Sequence, residues 1–244
     1  MKSRLAKVGF WLALLSATAL LLSPIGYRLG WWDLSVALSY LVLGGLIAAA
    51  AALLLSLIAA LRTRPGTARQ GFGLALAGIV ISVGFSSLPL MQIIKARSLP
   101  PIHDITTDTG NPPVFVALAA ARQAAPNGLE YRGAEIASQQ QQAYPAVVPY
   151  EAALSPDQLF SRVEKIAGES GWEIAAAVPD EGRIEATDTT LLYNFKDDIV
   201  IRITPTEQGS RLDIRSMSRI GVSDIGKNAA RIQTFLEQLN ANGG

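Results

Sequence analysis

Three stretches without one charged side chain, Val8 to Tyr27, Leu34 to Leu61 and Gly71 to Ile94, run for 20, 28 and 24 residues and occupy most of the chain as far as Arg97. A helix of about 20 apolar residues crosses the hydrocarbon core of a bilayer, which is about 30 Å thick. Each run therefore predicts a transmembrane helix, over about 8–27, 34–61 and 71–94. The second is longer than a crossing requires and is expected to tilt or to begin in the interface. A cleaved signal peptide is the rival reading of the first run, because Lys2, Arg4 and Lys7 form a basic start. No A-x-A site follows the run, and the sequence continues through Pro24, Gly26 and Trp31-Trp32, so an uncleaved helix is expected.

Charge divides the chain at the same place. As far as Arg97 there are nine bases and one acid, Asp33, a net of +8; from Ser98 onward there are twelve bases and nineteen acids, a net of −7. Short cytoplasmic loops retain Lys and Arg. Lys2, Arg4 and Lys7 in the N-terminal arm and Arg62, Arg64 and Arg69 in the second loop outnumber Arg28, Lys95 and Arg97 on the other side. That asymmetry predicts an inner or plasma membrane protein with a cytoplasmic N-terminus and an extracytoplasmic C-terminal domain. Within the runs no ionisable group stands away from the ends, which argues against a pump or channel. Small residues recur at four-residue spacing as Gly44, Ala48 and Ala52 and as Gly78, Ser82 and Ser86. Such stripes let helices approach closely, either within the three-helix bundle or as the face of a homo-oligomer. Pro89 is expected to kink the third helix. The chain has no cysteine, so disulfides and thiolate chemistry are excluded.

Beyond Ser98 the texture changes. Residues 98–150 contain Pro-Pro pairs, Pro-Asn-Gly and the run Gln139 to Gln142, and read as a proline-rich strap and linker, with the Gln run a polar connector. Residues 151–244 read as an α+β domain. Ser155, Pro156 and Gln158 form a helix start with a capping box, Leu154 and Leu159 suit a hydrophobic staple, and Gly171 suits the stop, which places a helix over 156–170. Strand-like runs follow at 172–178, 183–189, 199–204 and 211–220, separated by Pro- and Gly-containing turns, and 147–152 suits a further strand. In the last run Leu212, Ile214, Ser216, Ser218 and Ile220 alternate with Arg211, Asp213, Arg215, Met217 and Arg219. Ser223 or Asp224 is placed to cap a final helix whose apolar stripe is Ile225, Ala229, Ile232, Leu236 and Leu239. The expectation is an antiparallel sheet with two covering helices, preceded by an all-α bundle of three transmembrane helices.

The stretch IRSMSRIGVSDIGKNAARI from Ile214 to Ile232, with FKDD at Phe195 to Asp198 and IHDITTD at Ile102 to Asp108, resembles the family called domain of unknown function 1499 over about residues 101–239. The pattern is carried by Arg215, Ser216, Ser218, Arg219, Gly221, Ser223, Asp224, Gly226, Asn228 and Arg231, with Asp197 and Asp198 as its acidic pair. The resemblance implies a shared fold and a shared surface but no activity. Members without membrane helices often carry cysteines in the proline-rich opening segment, so a thiol role elsewhere in the family does not extend to this chain.

The candidate polar cluster is Asp104, Thr107, Asp108, Asp197, Asp198, Arg215, Ser216, Ser218, Arg219, Asp224, Asn228 and Arg231. Arg215 and Arg219 share a strand face beside the start of the last helix, an arrangement suited to an anionic ligand. Asp224 competes for that helix start, and a structural network in which Arg215 or Arg219 pairs with Asp197, Asp198 or Asp108 is the favoured account. The strap would then cross the arginine-bearing sheet face. His103 with Asp104 and Asp108 is the alternative, a hydrolase centre, but no catalytic or nucleotide motif accompanies them, and no cofactor is implied. Net −7 disfavours nucleic acid as a partner of this half. Three functions are left: a non-catalytic binding or structural module at the cell envelope with a protein or anionic ligand, a membrane-anchored hydrolase, and a scaffold assembling through the small-residue helix faces. The lipid bilayer is the partner common to all three.

Overall fold

A computed structural model describes residues 2–241 and divides the chain into two units, Met1–Lys95 and Ala96–Gly244. Residues 242–244, at the end of the segment read as the C-terminal domain, lie outside the described residues.

The first unit is helical. α1 (Arg4–Arg28) is capped by Ser3, whose hydroxyl accepts from the Ala6 N–H. The second apolar run starts as a π-wound segment, Val36–Val42, and continues as α2 (Leu43–Arg62); α3 (Phe72–Ser98) carries the third. All three are long and apolar enough to cross a bilayer. Ser3 N donates to Gln70 O at 2.8 Å, which brings the N-terminal arm and the second loop to one end of the unit. The buried stripe of α2 is Gly45, Ala49, Ala52, Ser56 and Ala59, so it differs from the expected one: Gly44 faces open space and Ala48 is only half-buried. The reason is contact with α1. A Cβ on Gly45 would meet Leu20 at 2.9 Å, one on Gly9 would meet Ser56 Oγ at 2.5 Å, and Ser16 Oγ donates to Gly45 O at 2.7 Å. Gly78 and Ser82 of α3 are buried as small residues should be, while Ser86 is half-buried.

The second unit is α+β, with a six-stranded antiparallel sheet ordered β1-β6-β5-β4-β3 and β2 also on β6. β3 (Glu173–Val178), β4 (Arg183–Thr189), β5 (Lys196–Thr206) and β6 (Gly209–Ser218) form the meander that the turn signals predicted. β1 (Asp104–Thr106) and β2 (Tyr150–Ala152) share the outer edge of β6, pairing at Asp104↔Met217 and Tyr150↔Leu212. Between them Thr107 continues the ladder, its N–H donating to Ile214 O and its hydroxyl accepting from Ile214 N, each at 2.9 Å. α6 (Pro156–Glu169) has the expected capping box, with Ser155 as N-cap and reciprocal bonds between Ser155 and Gln158. Its Leu159, Val163 and Ile166 meet Ile184, Ile199, Ile201, Leu212 and Ile214 in the core between helices and sheet.

α7 (Lys227–Ala241) starts later than the apolar spacing indicates. Asp224 is the cap, accepting from Gly226 N at 2.8 Å and Asn228 N at 2.6 Å, and Ile225 and Gly226 before the helix take left-handed φ of 55° and 73°. Ile225 therefore leaves the stripe, and Phe235 takes part in it, stacking on Trp172 at 5.1 Å. The Gln run is not a connector. It lies in α5 (Ala134–Ala143), where Gln140 is buried and its amide bridges Thr106 N and Thr106 O at 3.0 and 2.7 Å, saturating the free edge of β1.

Gly209 opens β6 at φ +143°, and a Cβ there would lie 2.1 Å from Ala152 O. Gly209→Ala forces β2 off its partner and should lower the melting temperature of the full chain in detergent by several degrees, at a cost above about 1 kcal/mol. An unchanged melting curve would show that β2 does not hold this edge.

Candidate functional site

The helix-distal face of the sheet is ionic where the helix-facing side is aliphatic. Alternation directs Arg183, Glu185 and Thr187 of β4, Asp198, Val200 and Arg202 of β5, and Arg211, Asp213, Arg215 and Met217 of β6 to this face, where Arg219, just past β6, joins them through Asp198. The chain from Asp108 to Tyr131, which includes the short helix α4 (Ala119–Gln123), is laid over it. Phe115, Leu118 and Leu129 close a small apolar cluster with Val200 and Met217. Around that cluster lie ion pairs and hydrogen bonds, with the Arg122 and Arg215 guanidinium groups against the Phe115 ring.

Asp198 is the centre. It has no exposed surface and accepts four hydrogen bonds, from Thr187 Oγ1, Arg122 NH1 and two guanidinium nitrogens of Arg219, at 2.8 to 2.9 Å. Arg122 is also without exposed surface. Its other donors go to the carbonyls of Gly128, Met217 and Ser218, and its guanidinium lies 4.9 Å from the Phe115 ring centre. Burial pulls the Arg122 guanidinium below its ordinary pKa, with Asp198 opposing, while the bonds to Asp198 push that of Arg219 up. Arg215 makes a two-pronged pair with Asp104 at 2.9 and 2.8 Å and donates to Pro113 O and Leu129 O. Asp108 accepts from Arg202 and Arg211 at 3.1 Å each, and Asp213 joins the same two arginines. Glu185 accepts from the backbone N–H groups of Val116, Ala117 and Leu118, at 2.9 to 3.0 Å, and from Arg183.

The remaining candidates lie on the helix side. Asn228 of α7 is fully buried. It accepts from Ser216 Oγ at 2.7 Å and donates to His103 O and Ser218 Oγ at 2.9 and 3.0 Å. Arg231 bridges Asp188 and Asp197 at 2.6 and 2.7 Å and reaches Ser216. The twelve candidates thus fall into two groups on opposite faces of the sheet. Arg219 takes Asp198, one of the pairings expected from sequence; Arg215 takes Asp104, Asp197 takes Arg231, and Asp108 takes Arg202 and Arg211. Burial pushes the Asp224 carboxyl up, against its bonds from Asn228 and Gly226.

His103 is 5 % exposed, and its Nδ1 has no hydrogen-bond partner among the described residues. Burial holds its pKa below the ordinary value, Asp104 opposing and Arg132 and Arg122 adding to the shift. Nearby, burial and Asp104 push the Tyr131 hydroxyl up to about 12. Among the described residues no three His, Asp or Glu groups converge as a cation would require. Sequence reading missed Arg122 and Glu185. The available signal was a charged residue at the edge of an otherwise apolar segment, FVALAAAR, and an acid inside a strand, IEAT.

This geometry defines a helical membrane unit joined to an α+β domain with a covered ionic face. The chain belongs to the family described as Protein of unknown function (DUF1499), whose model matches residues 104–239, more than half of its length. Comparison with curated proteins found no match. The ten pattern residues can each be read from the contacts. Arg215, Arg219 and Arg231 hold carboxylates, Ser216 and Ser218 hold Asn228, Ser223 and Asp224 shape the entry to α7, and Gly221 and Gly226 take φ of 94° and 73°.

Two measurements follow from these contacts. Arg122→Met removes its hydrogen bonds to three carbonyls and to Asp198; it should destabilise the fold by about 3 to 5 kcal/mol in denaturant titration of the full chain. His103 binds a proton more readily unfolded than folded, so its contribution is absent above its ordinary value of 6.5 and stability falls as pH drops from there toward the lowered folded value. Asp224, raised when folded, acts in the opposite sense, its contribution lost as pH rises through its folded value. His103→Gln leaves Asp224 in place, so its denaturant midpoint should fall less than that of the wild type between about pH 7.5 and 5.5. Parallel pH curves would remove His103 as a titrating group.

Proposed function

We propose that the C-terminal unit is a non-catalytic binding or structural module on the extracytoplasmic side of a cell membrane, held there by the three apolar helices. The observation that carries this reading is the internal use of the polar cluster. The carboxylates that a hydrolase or a cation site would need, Asp104, Asp108, Asp197 and Asp198, are each bound to at least one arginine, and the imidazole that would act as base is buried. A buried carboxylate already paired with a guanidinium would have to give up that pair to serve a substrate or a cation, which is costly. The network then keeps the covering segment on the sheet, and recognition belongs to outer surfaces.

The side of the membrane is argued from charge. Lys2, Arg4 and Lys7 come to the same end of the helical unit as Arg62, Arg64 and Arg69, because Ser3 bonds to Gln70. Six bases at one end are the expected mark of the cytoplasmic side. An odd number of crossings then puts the second unit outside.

The test is thermal unfolding of the full chain in detergent as wild type and as Asp108→Ala, Asp197→Ala, Arg215→Ala and Arg219→Ala. Breaking a buried pair costs about 3 to 5 kcal/mol, so the Asp197, Arg215 and Arg219 variants should melt several degrees lower, and Asp108→Ala, at a half-buried site, by less. Variants that melt like the wild type or higher would mean that the charges are kept for a ligand, and the structural reading would fall.

A further inference from the structure

The strand registers gather four chain segments at one end of the sheet. β1 starts there, β4 ends, β5 starts and β6 ends, as Asp104↔Met217, Thr189↔Lys196 and Asp197↔Ser218 fix. The loop 219–226 leaves from the same end, with Arg219 N bonded to Lys196 O and Asp224 N to Ile102 O. The chain also comes in here: a Cβ on Gly226 would meet Leu99 Cδ1 at 3.0 Å. α3 ends at Ser98, so Leu99, Pro100 and Pro101 alone separate it from Ile102. Three extended residues reach about 10 Å, a tether short enough for this end of the domain to reach the membrane surface.

The loops at this end have an unusual surface. Leu191 is 83 % exposed, more than any other large apolar side chain among the described residues, the membrane helices included. Val222 is 72 % and Leu192 49 % exposed. Neither Thr190–Phe195 (TLLYNF) nor Ile220–Ser223 (IGVS) contains a charge, and the exposed Lys196 and Lys227 flank them. Glu173 and Asp188 lie at the same end, the latter held by Arg231. At the opposite end the turns Pro179–Gly182 and Pro205–Gly209 carry Asp180, Glu181 and Glu207, all exposed. Single exposed leucines are ordinary. Here they are collected at the tethered end, where Glu173 is exposed and Asp224 is tied to the start of α7, whereas the two turns at the other end carry three exposed acids and no base.

We infer that loops 190–195 and 220–223 are a lipid-docking surface that inserts Leu191, Leu192 and Val222 into the interfacial layer of the bilayer that anchors the chain. Apolar tips flanked by lysines suit that layer, where acyl chain and anionic headgroup meet. The polarity of the domain then orients it, tether and apolar loops toward the lipid and acidic turns away. This holds on either side of the membrane and does not depend on the role of the buried charges.

The absence of cysteine makes the test direct. Leu191→Cys, Val222→Cys and, as control, Glu207→Cys each place one environment-sensitive fluorophore on the full chain at an exposed site. The labelled proteins are reconstituted in vesicles of phosphatidylcholine and phosphatidylglycerol in equal parts, with and without spin-labelled acyl chains. Docking predicts a blue shift and loss of intensity with spin-labelled lipid at 191 and 222, and neither at 207. Probes at 191 and 222 that match the control would overturn the inference. A blue shift without quenching by the lipid would overturn it too, in favour of a protein partner or a second copy of the chain.

Discussion

An arginine with no exposed surface decides the layout of the second unit. Arg122 cannot give up its proton and cannot be left without acceptors, so the chain around it must deliver a carboxylate and three carbonyls to one point. Asp198 lies on β5, the carbonyls of Met217 and Ser218 at the end of β6, and that of Gly128 on the covering segment itself. Meeting all four fixes where the segment crosses, in which direction, and at what distance from the sheet. The Glu185 carboxylate does the same for the backbone of residues 116–118. Buried ion pairs contribute little net stability against an apolar alternative, because desolvation offsets most of the attraction. What this set contributes is uniqueness of arrangement. An apolar segment of similar length would have many ways to lie on an apolar face, whereas a guanidinium fork has one.

The two faces of the sheet therefore do different work. The helix side, filled by Leu159, Val163, Ile199, Ile201, Leu212 and Ile232, supplies the apolar burial on which folding depends. Its polar exceptions, Ser216, Ser218, Asn228 and Arg231, tie α7 to β6 and leave no donor of Asn228 unused. In the membrane unit the same economy appears in serines. Ser16 and Ser23 give their hydroxyl protons to carbonyls of the neighbouring segment, Gly45 O and Ala37 O, across a helix contact made close by glycine and alanine.

Local signals in the sequence were enough for the membrane helices and for the elements from residue 150 onward, but not for β1, α4 and α5 between them. Ser155, Pro156 and Gln158 announce α6, the turn residues announce the meander, and alternation in β6 separates the core face from the ionic one. Three uncharged runs announce the membrane helices. What was not legible depends on contacts between distant positions. Arg122 and Asp198 are 76 residues apart and Arg215 and Asp104 are 111 apart, and no spacing rule connects them. α5 was missed because four glutamines carry no apolar stripe; its place is set by Gln140, which finishes the edge of β1. Ile225 looked like the first apolar residue of α7, but the Asp224 cap spends two left-handed residues before the helix begins. In α2 the choice between Gly44 and Gly45 turns on which of them meets Leu20, and that is a property of α1.

The position of β6 has a consequence for how the protein is made. β1 and β2 both need this strand, and it is nearly the last to be synthesised. Once α3 has entered the bilayer, about a hundred residues must emerge before Asp104 meets Arg215. During that interval the aspartates and the free edge of β1 are solvated and unpaired, and the covering segment has nothing to cover. Closure of the β1 and β2 edge is thus a late, long-range step, while the β3–β4–β5 meander is built of local pairings. A chain cut before Gly209 would keep β3, β4 and β5 but leave β1 and β2 without the strand they pair with and Asp104 without Arg215.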